Sequence, residues 1–407
     1  MVLKMSVKEK YDINQPIYFK KGMFDLNDEF HINYQLNRTI NWNRGDLEEI
    51  KSVAKDINNF DDWKRVLIQL GDKALEEDRI ENAIAYYRMS EFYMNWEDPD
   101  KLKYYKYARE LFYDYYSDYF DDSNGDAIVE LLEAPYEDTT MPVMHVKPEG
   151  EPKDCIVIHG GFDSYYEEFM FPILYLREKG FEVYLFEGPG QGEMLRLKNK
   201  YMTHEWEKVT GAILDAFDLN DVTLVGISLG GFYAPRAAAF DKRISRVVAW
   251  TAYPKQWTMI EINMGKSAVK GLKFLSSSKT GELALKHLKK QAKKGDLSAL
   301  ALMDVFYKAN TKTFSDTVKF YDNFDLTPVA HKIDQDFLIM HGNKDTICNY
   351  RMALPTIGML TNVKSLTFRL LTDKEEAGDH CHCGNMKLAL DVLIDWLNGL
   401  KRRDSWE

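Results

Sequence analysis

Cysteine is scarce in this sequence: there are four in 407 residues, and two of them, Cys381 and Cys383, stand one residue apart, a spacing poorly suited to closing on each other. No disulfide framework is implied. Positive charge is also in deficit. Lys and Arg total 53 against 64 Asp and Glu, a net charge of −11, which argues against a nucleic-acid binder that works by neutralising phosphates. Long hydrophobic runs are missing too. Residues 1–16 mix Lys, Glu and Asp with single apolar residues, so neither a secretory signal nor a membrane span is visible. The expectation is a soluble, cytoplasmic protein without a nucleic-acid or membrane partner. No cofactor motif is found: the glycines at 188–192 follow a strand-like run but enclose Pro189 and lack G-x-G-x-x-G spacing.

What is present is ample apolar material, 45% of the residues, in a chain long enough for two or three domains. Trp63, Val66, Leu67, Leu70 and Ala74, then Ala83, Ile84, Tyr87, Ser90 and Met94, recur at helical spacing around a polar Glu77-Asp78-Arg79 turn. A third helix is predicted from Pro99-Asp100 to about Phe120, with seven tyrosines between Tyr104 and Tyr119 to pack it. One hairpin without a repeat is not a solenoid. The prediction is a helical domain over residues 1–122.

Beyond the loop signature Asp121-Asp122-Ser123-Asn124-Gly125 the pattern changes. Strands are expected at 127–132, 141–146, 155–158, 181–186, 222–225, 246–250, 337–340 and 366–371, alternating with helices; several are continuous apolar runs, as in a parallel sheet covered on both faces. This is α/β organisation, assigned to a second domain over 123–407. The alternation stops between 257 and 332, where helical stretches near 281–294 and 298–310 read as an inserted cap.

The run at 222–225 leads into Gly226-Ile227-Ser228-Leu229-Gly230-Gly231 and then a helix-compatible Ala237-Ala238-Ala239. A strand-to-helix turn this tight needs small residues beside the serine and exposes its hydroxyl above the sheet, which makes Ser228 the candidate nucleophile. A serine so placed needs a base oriented by an acid, in the chain order nucleophile, acid, histidine. Asp345, in His341-Gly342-Asn343-Lys344-Asp345 after a strand, is the candidate acid, with Asp373 and Asp379 as competitors. Only His380 and His382 follow it, in Gly378-Asp379-His380-Cys381-His382-Cys383-Gly384-Asn385. One of them is the candidate base. The final helix, expected to begin near the cap Asn385 and end near Trp396, places His382 close to that helix and favours His380. The same segment offers soft metal ligands, but side chains two apart diverge and no second ligand pair is seen, so no metal is assigned.

His159-Gly160-Gly161-Phe162-Asp163-Ser164 follows the 155–158 strand, where a loop would supply an oxyanion-binding N–H. The backbone N–H of Leu229 and that of Phe162, or of Gly161, are the candidate donors.

On these motifs the chain resembles the α/β-hydrolases, and among them the branch that includes the respiration-fermentation switch protein FrsA and 2,6-dihydropseudooxynicotine hydrolase. The resemblance is carried by Gly160-Gly161-Phe162-Asp163-Ser164 with Glu167-Glu168, Glu187-Gly188-Pro189-Gly190-Gln191-Gly192-Glu193, the Ser228 elbow, His341 to Asp345, and Gly378-Asp379-His380-Cys381 with Gly384-Asn385. The segment Ala85-Tyr86-Tyr87-Arg88 resembles that branch's amino-terminal helical domain. It implies a mostly parallel central sheet, an N-terminal helical domain, a helical cap, and Ser228, Asp345 and His380 as the reacting set. The branch usually has Asp where Glu187 stands. Its members include hydrolases of carbon–carbon bonds next to a ketone, esterases, and proteins described as acylaminoacyl or dipeptidyl peptidases.

With helices and an insert in place of a long β-rich region, the expected substrate is a small molecule acted on at a carbonyl, and a homo-oligomeric state stays open. Two alternatives accompany this reading, a peptidase of the acylaminoacyl type and a catalytically silent interaction protein. Between 261 and 300 nine lysines (266, 270, 273, 279, 286, 289, 290, 293 and 294) face Glu261, Glu282 and Asp296. That excess would steer an anionic substrate or form a solvated face.

Overall fold

Strands that are apolar at successive positions, not alternate ones, have to be covered on both sides, and this sequence builds a sheet of that kind. The computed structural model describes residues 10–405 apart from 124, 126 and 293–296. Among the described residues there are eight strands, β1 Glu130–Tyr136, β2 Thr139–Val146, β3 Cys155–His159, β4 Glu182–Phe186, β5 Val222–Ile227, β6 Ile244–Trp250, β7 Asp336–Gly342 and β8 Ser365–Leu371. They form one sheet in the order β1-β2-β4-β3-β5-β6-β7-β8. From β4 to β8 the neighbours run parallel, and β2 joins β4 antiparallel. Every residue of β5 and β7 is buried, so helices close both faces there.

The register lines up the carboxyl ends of the central strands: His159 lies beside Gly226, Ile227 beside Trp250, and Gly342 beside Leu371. Loops leaving these ends therefore converge on one edge, where ligands of open α/β sheets bind. Behind that edge the Trp206 and Tyr233 rings stack at 3.9 Å. They join helix Trp206–Ala216 to helix Gly230–Ala238, and the His159 ring lies against Trp206 at 5.1 Å.

By compactness the chain divides into two units, Met1–Glu130 with Ala284–Tyr307, and Leu131–Leu283 with Lys308–Glu407. In the first, helices Phe60–Glu76 and Ile80–Ser90 form the hairpin, followed by Pro99–Tyr115. The hairpin helices cross tightly at Gly71, where a Cβ would stand 2.6 Å from the Tyr87 ring. The insert contributes Trp96–Tyr307 stacking at 3.8 Å and an Asp304 carboxylate that accepts from the Trp96 indole at 2.6 Å. The division thus runs inside the insert, whose helices are Thr258–Met264, Lys266–Ser276, Lys279–Ala292, Leu297–Lys308 and Phe314–Asp322. Of its charged residues, Lys293, Lys294 and Asp296 lie outside the described residues. Among the described residues no helix is long and apolar enough to cross a membrane.

Several sequence expectations are corrected. The first strand begins at Glu130 instead of 127, because the Val129 N–H is already given to the Tyr119 carbonyl. It runs on through Pro135, which an edge strand tolerates for lack of a partner on one side. The second hairpin helix stops at Ser90, short of Met94. The third helix breaks at Tyr116, whose ψ of 17° leaves the helical region, and a short turn Ser117–Phe120 follows. The last helix, Met386–Asp404, begins at the Asn385 cap as expected but continues past Trp396, since Leu397 and Leu400 are buried on its inner side.

Candidate active site

Ser228 is forced into place by its neighbours. Its φ is 60°, its N–H is held by the Trp250 carbonyl at 2.9 Å, and the helix Gly230–Ala238 starts two residues later. A Cβ on Gly226 would come within 2.0 Å of the Gly230 carbonyl oxygen, so the tight turn admits no side chain there. The half-buried hydroxyl that results stands 2.9 Å from His380 Nε2.

The loops after β7 and β8 clasp each other and deliver the other two groups. The Lys344 N–H donates to the Gly378 carbonyl at 2.8 Å, and the Asn343 side chain exchanges hydrogen bonds with Asp373, donating to its carboxylate and accepting from its backbone N–H. His380 and Asp345 meet across this clasp, with Nδ1 of the ring 2.8 Å from Oδ2. Burial alone would push the His380 pKa down. The charge of Asp345, the adjacent Cys381 and the hydrogen bond to Asp345 outweigh it, and the net shift is well above the ordinary imidazole value.

The other candidates are placed differently. Asp373 is exposed, with its carboxylate on Asn343. Asp379 has a pKa pushed up to about 6 by burial and by the charges of Asp345 and Asp373. His382 is fully buried, its Nδ1 is 2.8 Å from the Ala377 carbonyl, and burial holds its pKa at about 4, so it is a neutral ring outside the Ser228 chain. Among the described residues no three His, Cys, Asp or Glu side chains are grouped to hold a metal ion.

The loop after β3 approaches the elbow so closely that a Cβ on Gly161 would lie 2.6 Å from Leu229 N and 2.9 Å from Ser228 Cβ. The Gly161 N–H is already given to Ser164 Oγ at 2.8 Å. Among the described residues, the N–H groups of Phe162 and Leu229 have no acceptor. Of the candidates Gly161 and Phe162, Phe162 is the one whose N–H is unspent.

Three supporting side chains carried no assigned role in the sequence. Glu187 is buried and accepts from the N–H groups of Tyr166 at 3.0 Å and Glu193 at 2.6 Å, tying the loop after β4 to the loop after β3. Gln191 accepts from the Gly188 N–H at 2.9 Å and donates to the Gly161 carbonyl at 3.0 Å. Lys308 donates to the Phe162 carbonyl at 2.5 Å and to Asp163 at 2.6 Å. Glu187 and Gln191 lie in the glycine-rich run after β4, whose repeated turn residues were the available signal; nothing marked Lys308 out from the other lysines of the insert.

Comparison with known proteins decides the family. The family model for the alpha/beta hydrolase fold matches residues 156–367. The chain belongs to the α/β-hydrolase fold family. Hydrolyase ccsE of Aspergillus clavatus is 34% identical over 152 residues, 32% of this chain and 34% of that protein. The 2,6-dihydropseudooxynicotine hydrolase of Paenarthrobacter nicotinovorans is 35% identical over 121 residues, 28% of this chain and 32% of that one. The chain thus spans about a third of the length of the curated relatives it matches. A crystal structure of 2,6-dihydroxy-pseudo-oxynicotine hydrolase superposes with a TM-score of 0.60 over 89% of this chain and 94% of that one, at 21% identity, a likeness of fold. These relatives are named as hydrolases or hydrolyases.

Proposed function

We propose that this α/β-hydrolase is a serine hydrolase that acts on a carbonyl of a small substrate, an ester or a carbon–carbon bond next to a ketone. The observation that carries the reading is the continuous chain from Ser228 Oγ to His380 Nε2 at 2.9 Å and from His380 Nδ1 to Asp345 Oδ2 at 2.8 Å. With its Nδ1–H donated to the Asp345 carboxylate, the neutral ring presents Nε2 as a base to the serine. Ser228 Oγ attacks the carbonyl carbon, its proton passes to Nε2, and the carbonyl π pair moves onto oxygen, where the N–H groups of Phe162 and Leu229 receive it. Collapse expels the leaving group, which takes the proton from His380. Water, deprotonated by the same ring, then attacks the acyl carbon, and Ser228 leaves with the proton returned. A relative named 2,6-dihydropseudooxynicotine hydrolase supports a small molecule as the substrate class.

A fluorophosphonate should label Ser228, and Ser228→Ala should abolish both labelling and turnover on a panel of esters, amides and β-diketones, with a loss approaching about 10⁶-fold. Labelling elsewhere, or turnover that survives in Ser228→Ala, would overturn the proposal. The member of the panel turned over fastest identifies the leaving group.

A further inference from the structure

Three consecutive peptide groups of the loop after β3 are each anchored by a different side chain. The Gly161 N–H, in the first, is held by Ser164 Oγ at 2.8 Å. The Phe162 carbonyl, in the third, is held by Lys308 Nζ at 2.5 Å, and Lys308 also spans to Asp163. The middle group, which carries the Gly161 carbonyl and the Phe162 N–H, is held by Gln191 Nε2 at 3.0 Å. We propose, resting on the serine-hydrolase reading, that Gln191 is the positioning residue that aims the Phe162 N–H at the oxyanion.

The geometry of the peptide makes the argument. Among the described residues all peptide bonds are trans, so the carbonyl and the N–H of one peptide point in opposite directions. Whatever grips the Gly161 carbonyl from one side turns the Phe162 N–H to the other. The residues before that peptide, Gly160 and Gly161, are the ones least able to hold a direction by themselves, because glycine has the widest choice of backbone angles. An outside grip is therefore required. Gln191 suits it because its own amide is fixed at both ends: Oε1 accepts from the Gly188 N–H at 2.9 Å while Nε2 donates to Gly161, and only 2% of the residue is exposed. An amide held in this way cannot rotate to offer its oxygen to the Gly161 carbonyl. Its backbone is pinned as well, since the Gln191 N–H donates to the Gly188 carbonyl at 3.1 Å across the Pro189-Gly190 turn. Among the described residues no hydrogen bond joins Gln191 to Ser228, His380 or Asp345, so its effect on the reaction would pass through the peptide.

The test is the kinetics of Ser228 phosphonylation, which needs no knowledge of the natural substrate. Ser228 Oγ attacks phosphorus, an O–P bond forms, the P–F bond breaks, fluoride leaves and the serine proton passes to His380, with charge growing on the phosphoryl oxygen at the same place. Gln191→Glu keeps the length and the acceptor for Gly188 but removes the donor, and Gln191→Met keeps the volume with neither. Both should lower the maximal inactivation rate by about 10²-fold, the worth of one oxyanion donor. The concentration for half-maximal inactivation should change less than threefold, and so should the pH at which labelling switches on, because the base is untouched. A merely structural contact would lower the melting temperature without that split. A folded variant of either kind reacting within threefold of the parent would overturn the inference while the serine reading stands. Parent labelling at another residue, or unchanged labelling in Ser228→Ala, would overturn the serine reading and this inference with it.

Discussion

His380 Nδ1 sits 2.8 Å from Oδ2 of Asp345, while Oδ1 of the same carboxylate accepts from the N–H groups of Ile347 at 3.0 Å and Cys348 at 2.7 Å. The carboxylate is thereby saturated by its own loop on one side and spends its other side on the ring. Such an arrangement orients the imidazole and favours its protonated form, the form the proposed mechanism requires once the serine has given up its proton.

Replacing that charge tests the arrangement. In Asp345→Asn the amide can still accept from Ile347 and Cys348, so the loop should keep its shape, but the ring loses the partner that fixes its tautomer. The expected loss in kcat is about 10⁴-fold. The pH dependence gives the sign. A base works in its deprotonated form, so activity should rise with pH through the His380 pKa, which lies well above the ordinary value in the parent. Without the Asp345 charge burial dominates, the pKa falls, and the rising limb should move to lower pH. A limb that stays in place would show that Asp345 does not set the base.

Two histidines one residue apart should behave in opposite ways. His380→Ala should cost nearly as much activity as Ser228→Ala, and the double variant little more, because neither group can act without the other. His382, with its φ of 57°, is fully buried and holds the Ala377 carbonyl. His382→Asn tolerates that backbone, so it should keep kcat within a few-fold and instead lose about 1–3 kcal/mol of stability through the disturbed buried hydrogen bond. Measuring kcat and urea midpoints for both separates the roles. A dead His382→Asn beside an active His380→Ala would reverse the assignment.

The elbow and the order of its partners were legible because local sterics dictate them: Gly226 faces the Gly230 carbonyl within its own turn, and sequence order alone puts Asp345 and then His380 after Ser228. Asn385 was legible as a cap for the same local reason. What could not be read depended on chain segments brought together by folding. Which of the Gly161 and Phe162 N–H groups stays unspent is decided by where the Ser164 hydroxyl turns, and the hydrogen bond from Gln191 to the Gly161 carbonyl exists only once the loop after β4 lies beside the loop after β3. The helix end beyond Trp396 was not legible because the burial of Leu397 and Leu400 appears only once the chain is folded.

Closing the gap between the elbow and the loop after β3 should be disproportionately damaging. Gly161→Ala would place its Cβ 2.6 Å from Leu229 N and 2.7 Å from the Ile227 carbonyl oxygen, so the loop has to retreat. The Phe162 N–H retreats with it. The expected outcome is a fall of at least about 10²-fold in the Ser228 labelling rate, together with about 1–3 kcal/mol of destabilisation from the overpacking. A variant that labels at the parent rate would show that this loop does not hold the oxyanion.

Acid should destabilise the protein earlier than its carboxylates alone would require. His159, His341 and His382 are buried, and burial holds each of their pKa values at about 4, against 6.5 for a free ring. Each favours the folded state fully above pH 6.5, and that contribution is lost as pH falls towards 4, because the unfolded chain takes up the proton first. His380 has the opposite sign. Its pKa is raised, so its contribution is complete below 6.5 and is lost only as pH rises through its folded value. Between pH 6 and 4.5, then, three neutral rings act together with nothing from His380 to offset them. Asp379, raised to about 6, takes up a proton in the folded state over the same range and offsets one ring, so the slope of unfolding free energy with pH should approach two protons, about 2.7 kcal/mol per pH unit. Urea unfolding at half-unit steps from pH 7.5 to 4.5 measures it, and His341→Leu should lower the slope by about one proton. A flat profile down to pH 5 would show that these rings are protonated in the folded protein.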